Sequence, residues 1–137
     1  MPIKSPVPAV FIVILALSGS LLADSLNDIM NYREYSAGFS SAGQPRREQF
    51  ELLKSEGFER VVYIAFANSK GAISDEDQLV KDLGMDYAQV PVIWDAPTTA
   101  DFDAFAAIMQ SEPKKKTLLH CQANYRASAF AFLYRVL

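Results

Sequence analysis

The chain has 137 residues, 13 basic and 16 acidic side chains, and a net charge of −3, which bounds it to one domain and excludes the basic face of a nucleic-acid binder. It holds one cysteine and one histidine, so an internal disulfide is excluded and a structural zinc site has too few ligands. Nothing in the composition asks for a metal ion or an organic cofactor.

The N-terminus comes first. Lys4 precedes an apolar run over residues 10–17 and then small residues up to Ala23, the pattern of a secretory signal peptide. The run is shorter than the roughly 20 apolar residues of a membrane span. Cleavage is expected after Ala23, before polar Asp24 and Ser25, giving a signal peptide over 1–23 and a single domain over 24–137. The protein is then exported, to a periplasm, with no stable membrane insertion. Leu21 fits the cleavage pattern poorly, and the alternative is an uncleaved anchor that presents the domain outward.

Residues 25–35 read as a short entry helix and Phe39–Ala42 as a short strand, followed by a turn at Gly43 and Gln44. Pro45 suits a first helical turn, Phe50, Leu52 and Leu53 have helical spacing, and Gly57 is a stop. Residues 60–67 are β-branched and aromatic with no polar alternation, which predicts a strand buried on both faces. Residues 74–77 open a helix with acids at its positive end, and Gly84 closes it. A strand over 87–90 leads into a loop over 91–97. Thr98 or Thr99 then caps a helix carrying Phe102, Phe105, Ala106, Ile108 and Met109, which ends by Pro113.

The lysines at 114–116 read as a solvated loop before the last strand, Thr117–His120, and residues 127–137 form a helix that is apolar on nearly every side. Such a helix is expected to be buried all round. Strands alternating with helices predict right-handed crossovers and a mostly parallel sheet, hence a three-layer α/β sandwich. Ligands of such sheets bind beyond the carboxyl ends of the strands, where Cys121 sits.

The stretch LHCQANYRAS, residues 119–128, therefore carries a cysteine at a strand-to-helix turn. A loop entering a helix presents N–H groups with no partner inside that helix, and these make an anion site. The helix dipole alone contributes only about 0.3–1 kcal/mol, so a reactive thiolate also needs loop hydrogen bonds and a cation. Arg126 supplies the cation, and its planar fork suits two oxygens of a tetrahedral oxyanion.

His-Cys, a short loop, then Arg and Ser opening a helix resembles the signature of the cysteine-dependent protein tyrosine and dual-specificity phosphatases. The stretches SAGQP, GFERVVYIAF and LGMDYAQVPVIWDAPT resemble the bacterial dual-specificity-like branch, which includes β-lactamase hydrolase-like phosphatases. The resemblance implies that Cys121 attacks phosphorus, Arg126 binds the phosphoryl oxygens and Asp95 protonates the leaving oxygen. It implies a substrate loop of Gln122, Ala123, Asn124, Tyr125, Ala127 and Ser128, with His120 in support and the Ser128 hydroxyl assisting departure of the thiolate. The partner is a phosphorylated protein or small molecule.

The chain departs from the signature in two places. The arginine is expected six residues after the cysteine, where Ala127 stands, and Arg126 comes one residue early. Asn124 replaces a central glycine and tolerates the left-handed conformation better than most residues. The six-residue loop from Cys121 to Arg126 is also similar to that of rhodanese-like sulfurtransferases, which would make Cys121 a persulfide carrier. A non-catalytic anion-binding module is the third reading. Asp95 reads equally as a turn former ahead of Pro97, and Asp101 and Asp103 as ordinary first-turn acids. The apolar last helix stops where more helices follow in the family, which leaves a C-terminal truncation as one expectation.

Overall fold

The sheet order is β1-β2-β5-β3-β4, and the strand ends meet at one place. β5 (Thr117–His120) runs centrally and parallel to β2 (Phe39–Ala42) and β3 (Arg60–Tyr63), while β4 (Asp86–Gln89) lies parallel outside β3. In this register Ala42 and Tyr63 both pair with His120, so three strands end level beside Cys121. β2, β3 and β5 are buried along their whole length, as expected of strands covered on both faces. The computed structural model describes residues 1–2 and 24–137, and residues 3–23 of the expected signal segment, with its cleavage pattern, fall outside them.

Successive residues along a strand point to opposite faces, and this period sorts the core into two clusters. Val61 and Leu118 face α1 (Gln49–Ser55) and α2 (Glu76–Asp82), packing with Phe50, Leu53, Phe58 and Val80. Val62 and Leu119 face α3 (Thr99–Ser111) and α4 (Tyr125–Val136), packing with Val92, Phe105, Phe130 and Ala131. The result is the three-layer α/β sandwich. Each fully buried Phe or Leu adds about 1.5–3 kcal/mol to the driving force for folding. Among the described residues no helix is long and apolar enough to cross a membrane.

Four local expectations are corrected. Residues 25–35 do not form a helix: a 3-10 turn at Leu26–Asp28 leads into β1 (Arg33–Ser36), antiparallel to β2. The Asp28 carboxylate accepts the Ser25 N–H at 2.7 Å and closes that turn early. Tyr32 and Tyr35 then reach the buried hydroxyls of Ser40 and Ser41 at 2.9 and 2.7 Å. Pro45 does not open a helix. The Gln49 side chain accepts the Arg46 N–H at 2.9 Å, which holds residues 44–47 outside α1.

The strand expected over 60–67 ends at Tyr63, because its neighbours end there: β5 gives way to the Cys121 loop and β4 stops at Gln89. Finally, α4 is not buried all round. Ala127, Phe130 and Ala131 face the core, but Phe132 and Val136 are more than half exposed.

Candidate active site

Cys121 lies directly beyond β5, 1% exposed, with its N–H donated to the Ala42 carbonyl at 3.3 Å. The chain turns there because both neighbouring strands have ended. Three contacts fix the turn. The Gln44 N–H donates to the Gln122 carbonyl at 3.0 Å, the Asn31 side-chain amide donates to the Ala123 carbonyl at 3.0 Å, and the Asn124 amide donates to the Asn31 carbonyl at 2.7 Å.

Asn31 and Asn124 both adopt positive φ, 51° and 73°, a conformation that asparagine tolerates. Gly43 is needed where it stands. A Cβ there would meet the Gln122 carbonyl oxygen at 3.0 Å and the Ala123 Cα at 3.1 Å.

α4 begins at Tyr125, so its first turn carries the arginine. The N–H groups of Tyr125, Arg126 and Ala127 have no acceptor among the described residues, and the first bond back to the loop comes from Ser128 to the Asn124 carbonyl at 2.8 Å. The Arg126 guanidinium is nearly buried. One Nη donates to the Val92 carbonyl at 2.7 Å, the group lies 5.6 Å from the Trp94 ring centre, and its Nε is buried with no partner among the described residues. A buried guanidinium N–H beside free helix N–H groups is the donor set an oxyanion needs.

Cys121, just beyond β5, and Arg126, in the first turn of α4, thus stand on one short turn with residues 122–125 between them and Ala127 beside them. Gln122 and Tyr125 are exposed, Ala123 is half-buried, and Asn124 gives its Nδ2 to Asn31 while its buried Oδ1 has no partner among the described residues. Ala127 is fully buried and offers only its N–H. The Ser128 hydroxyl donates to the Tyr125 carbonyl at 3.1 Å, and no hydrogen bond links it to Cys121. Asp95 sits exposed in the loop after β4. That loop is tied to the site by Trp94, whose ring packs edge-on against Tyr125 with centroids 5.9 Å apart, and by the Arg126–Val92 bond. Asp101 accepts the Thr98 N–H at 2.9 Å in a capping box, which accounts for it structurally, and Asp103 is exposed on α3.

Sequence reasoning missed Glu76 and Gln44. Glu76 reads as a helix-start acid, yet it is 2% exposed, and its two oxygens contact His120 Nε2 and Gln44 Nε2, each at 2.6 Å. His120 is fully buried, stacked on Tyr63 at 4.6 Å, with no partner for Nδ1 among the described residues. Burial pushes the Tyr63 phenol above its usual range, so it stays a donor, here to the Phe66 carbonyl at 2.9 Å. The network runs from Glu76 through Gln44 to the Gln122 carbonyl of the cysteine loop. The only forward signal was the unusual burial that a Glu at a strand-facing helix start would imply, and that is a property of the fold.

No protein-family model matches the chain, and no curated protein matches it significantly. Solved structures do. A candidate phosphatase of the DUF442 family from Shewanella putrefaciens CN-32 is 42% identical, with a TM-score of 0.78 over 81% of this chain and 71% of that chain. The Pseudomonas aeruginosa protein TpbA, solved as a Cys-to-Ser variant in complex with phosphotyrosine, is 19% identical, with a TM-score of 0.65 over 83% of this chain and 66% of that one. The catalytic core of the PP-IP phosphatase SIW14 from Saccharomyces cerevisiae, in complex with citrate, is 15% identical, with a TM-score of 0.66 over 81% and 68%. The last two likenesses speak for the fold; the first, at its identity and coverage, assigns the chain to the DUF442 branch of the cysteine-dependent protein tyrosine and dual-specificity phosphatase superfamily.

Proposed function

We propose that the protein is an exported phosphatase that hydrolyses a phosphomonoester through a cysteinyl-phosphate intermediate. The observation that carries this reading is the donor set that follows Cys121: three N–H groups of the first turn of α4 and the buried Nε of Arg126, all without a partner among the described residues. These groups would hold the three non-bridging oxygens of the phosphoryl group and stabilise the charge that builds on them in the transition state. The Cys121 thiolate attacks phosphorus in line with the ester oxygen, so the P–S bond forms as the P–O bond breaks. Asp95 gives its proton to the departing oxygen. Water then attacks the same phosphorus, Asp95 takes its proton, and the thiolate leaves with free phosphate as the second product. Because the Ser128 hydroxyl rests on the Tyr125 carbonyl, a role at the departing sulfur requires that bond to break.

By their descriptions TpbA binds phosphotyrosine and SIW14 is a PP-IP phosphatase, which supports a phosphorylated substrate here. Export rests on the sequence pattern of residues 1–23. Hydrolysis of p-nitrophenyl phosphate tests the proposal: Cys121→Ser should fall to background, and Asp95→Asn should lower kcat by about 10²-fold or more. An unchanged rate in Cys121→Ser removes the reading. The loop length keeps a sulfurtransferase in view, and mass spectrometry after thiosulfate treatment separates the two. The phosphatase reading expects no stable gain of sulfur on Cys121. Absence of turnover with phosphate still bound through Arg126 would leave the non-catalytic anion-binding module.

A further inference from the structure

An open groove of about 550 Å³ borders the cysteine loop, with Gln122 and Ala123 forming part of its wall. That volume suits a small ligand rather than water alone. Three cations line it, Arg46, Arg47 and Lys70, and no acidic residue does. Met30, Pro45 and Ile73 supply apolar surface between the loop and these cations. Gly43 lets Met30 pack against this wall of the loop: a Cβ there would meet Met30 Sδ and the Gln122 carbonyl, both at 3.0 Å.

The cations are available to a ligand. Arg46 contacts Asp24 at 3.1 Å and Glu48 at 2.7 Å, and Arg47 contacts Asp75, but all these partners are about half exposed. Ion pairs of that kind contribute little and are screened by salt, so an incoming anion can exchange with them. Lys70 makes no salt bridge among the described residues.

A phosphomonoester bound for attack by Cys121 must direct its leaving group somewhere, and this groove adjoins the loop with apolar surface near it and positive charge beyond. We infer that it binds the leaving-group half of a small phosphomonoester bearing a second anionic group, a carboxylate or a second phosphate, across an apolar spacer. This rests on the phosphatase reading and names the substrate class for it.

The test compares kcat/KM of the full chain for 3-carboxyphenyl phosphate and for phenyl phosphate at low salt. The carboxylated ester should be preferred by about tenfold, the factor a charge-assisted contact gives. Arg47→Ala combined with Lys70→Ala should reduce that ratio to about two or less, while Lys54→Ala on α1 leaves it in place. Equal kcat/KM for the two esters, or a preference that survives the double variant, overturns the inference. If neither ester is turned over, the phosphatase reading falls, and calorimetry on Cys121→Ser protein with the same two esters decides the groove by the same ratio of dissociation constants. A preference shown only by an acidic phosphotyrosyl peptide overturns the small-molecule assignment.

Discussion

Glu76 is the least expected residue of the site. A carboxylate that is 2% exposed needs compensation for the water it has lost, and among the described residues it finds the His120 ring and the Gln44 amide. Both partners lead to the cysteine loop, His120 as the residue before Cys121 and Gln44 through its N–H to the Gln122 carbonyl. Glu76 is therefore a positioning residue. Glu76→Gln keeps the volume but turns one acceptor into a donor facing the Gln44 amide. The expected result is a loss of about 1–3 kcal/mol in stability. A fall in kcat larger than the rise in KM should accompany it, measured by urea unfolding and steady-state kinetics. Unchanged kcat in a fully folded variant would mean that the network serves stability alone.

Among the elements, β3 and α3 show how a single side chain couples the layers. Arg60 opens β3 and is 3% exposed. Its Nε donates to the Thr117 hydroxyl at 3.0 Å, and its Nη atoms donate to the carbonyls of Ile108 at 2.7 Å and Glu112 at 3.4 Å. Burial lowers its pKa from the usual guanidinium range, which nearby acids including Glu112 partly offset. α3 has no basic residue in its last turn, so Arg60 supplies the cation that the negative end of the helix favours. Arg60→Met should cost about 2–4 kcal/mol, since it strands these acceptors, and should leave the turnover of the folded fraction intact. Thermal and urea melts alongside activity per folded molecule check both parts.

The same elements show what could be read in advance. α3 was legible because its apolar spacing and its Thr98 cap are local, and β3 and β5 because continuous apolar runs admit little else. β1 was not, since its residues gain their role only by pairing with β2, where tyrosines satisfy serines that made β2 itself look weak. The placing of Cys121 and Arg126 on a strand-to-helix turn was legible from the pattern of their neighbours. Glu76 was not, because its partner His120 is 44 positions away and its burial depends on how α2 docks.

At the scale of the whole molecule, the level ends of β2, β3 and β5 make one site from distant parts of the chain, so ligand binding there is coupled to global folding. β3 and β5 contribute alternate residues to both core clusters, which links the two halves into one cooperative unit. An anion held by the α4 N–H groups and Arg126 binds only the folded chain. At a hundredfold excess over Kd it adds about 2.7 kcal/mol. For a domain of this size that raises Tm by roughly 10 °C. Differential scanning with inorganic phosphate should show the rise, against sodium chloride at matched ionic strength. Trp94, the single tryptophan, lies against the Arg126 guanidinium, so its fluorescence should report the same binding. Arg126→Ala should remove the phosphate-dependent increment whatever it does to the starting Tm, because it deletes the buried cation while leaving the chain's other arginines in place. A phosphate response equal to that of chloride would mean that the loop does not hold the anion.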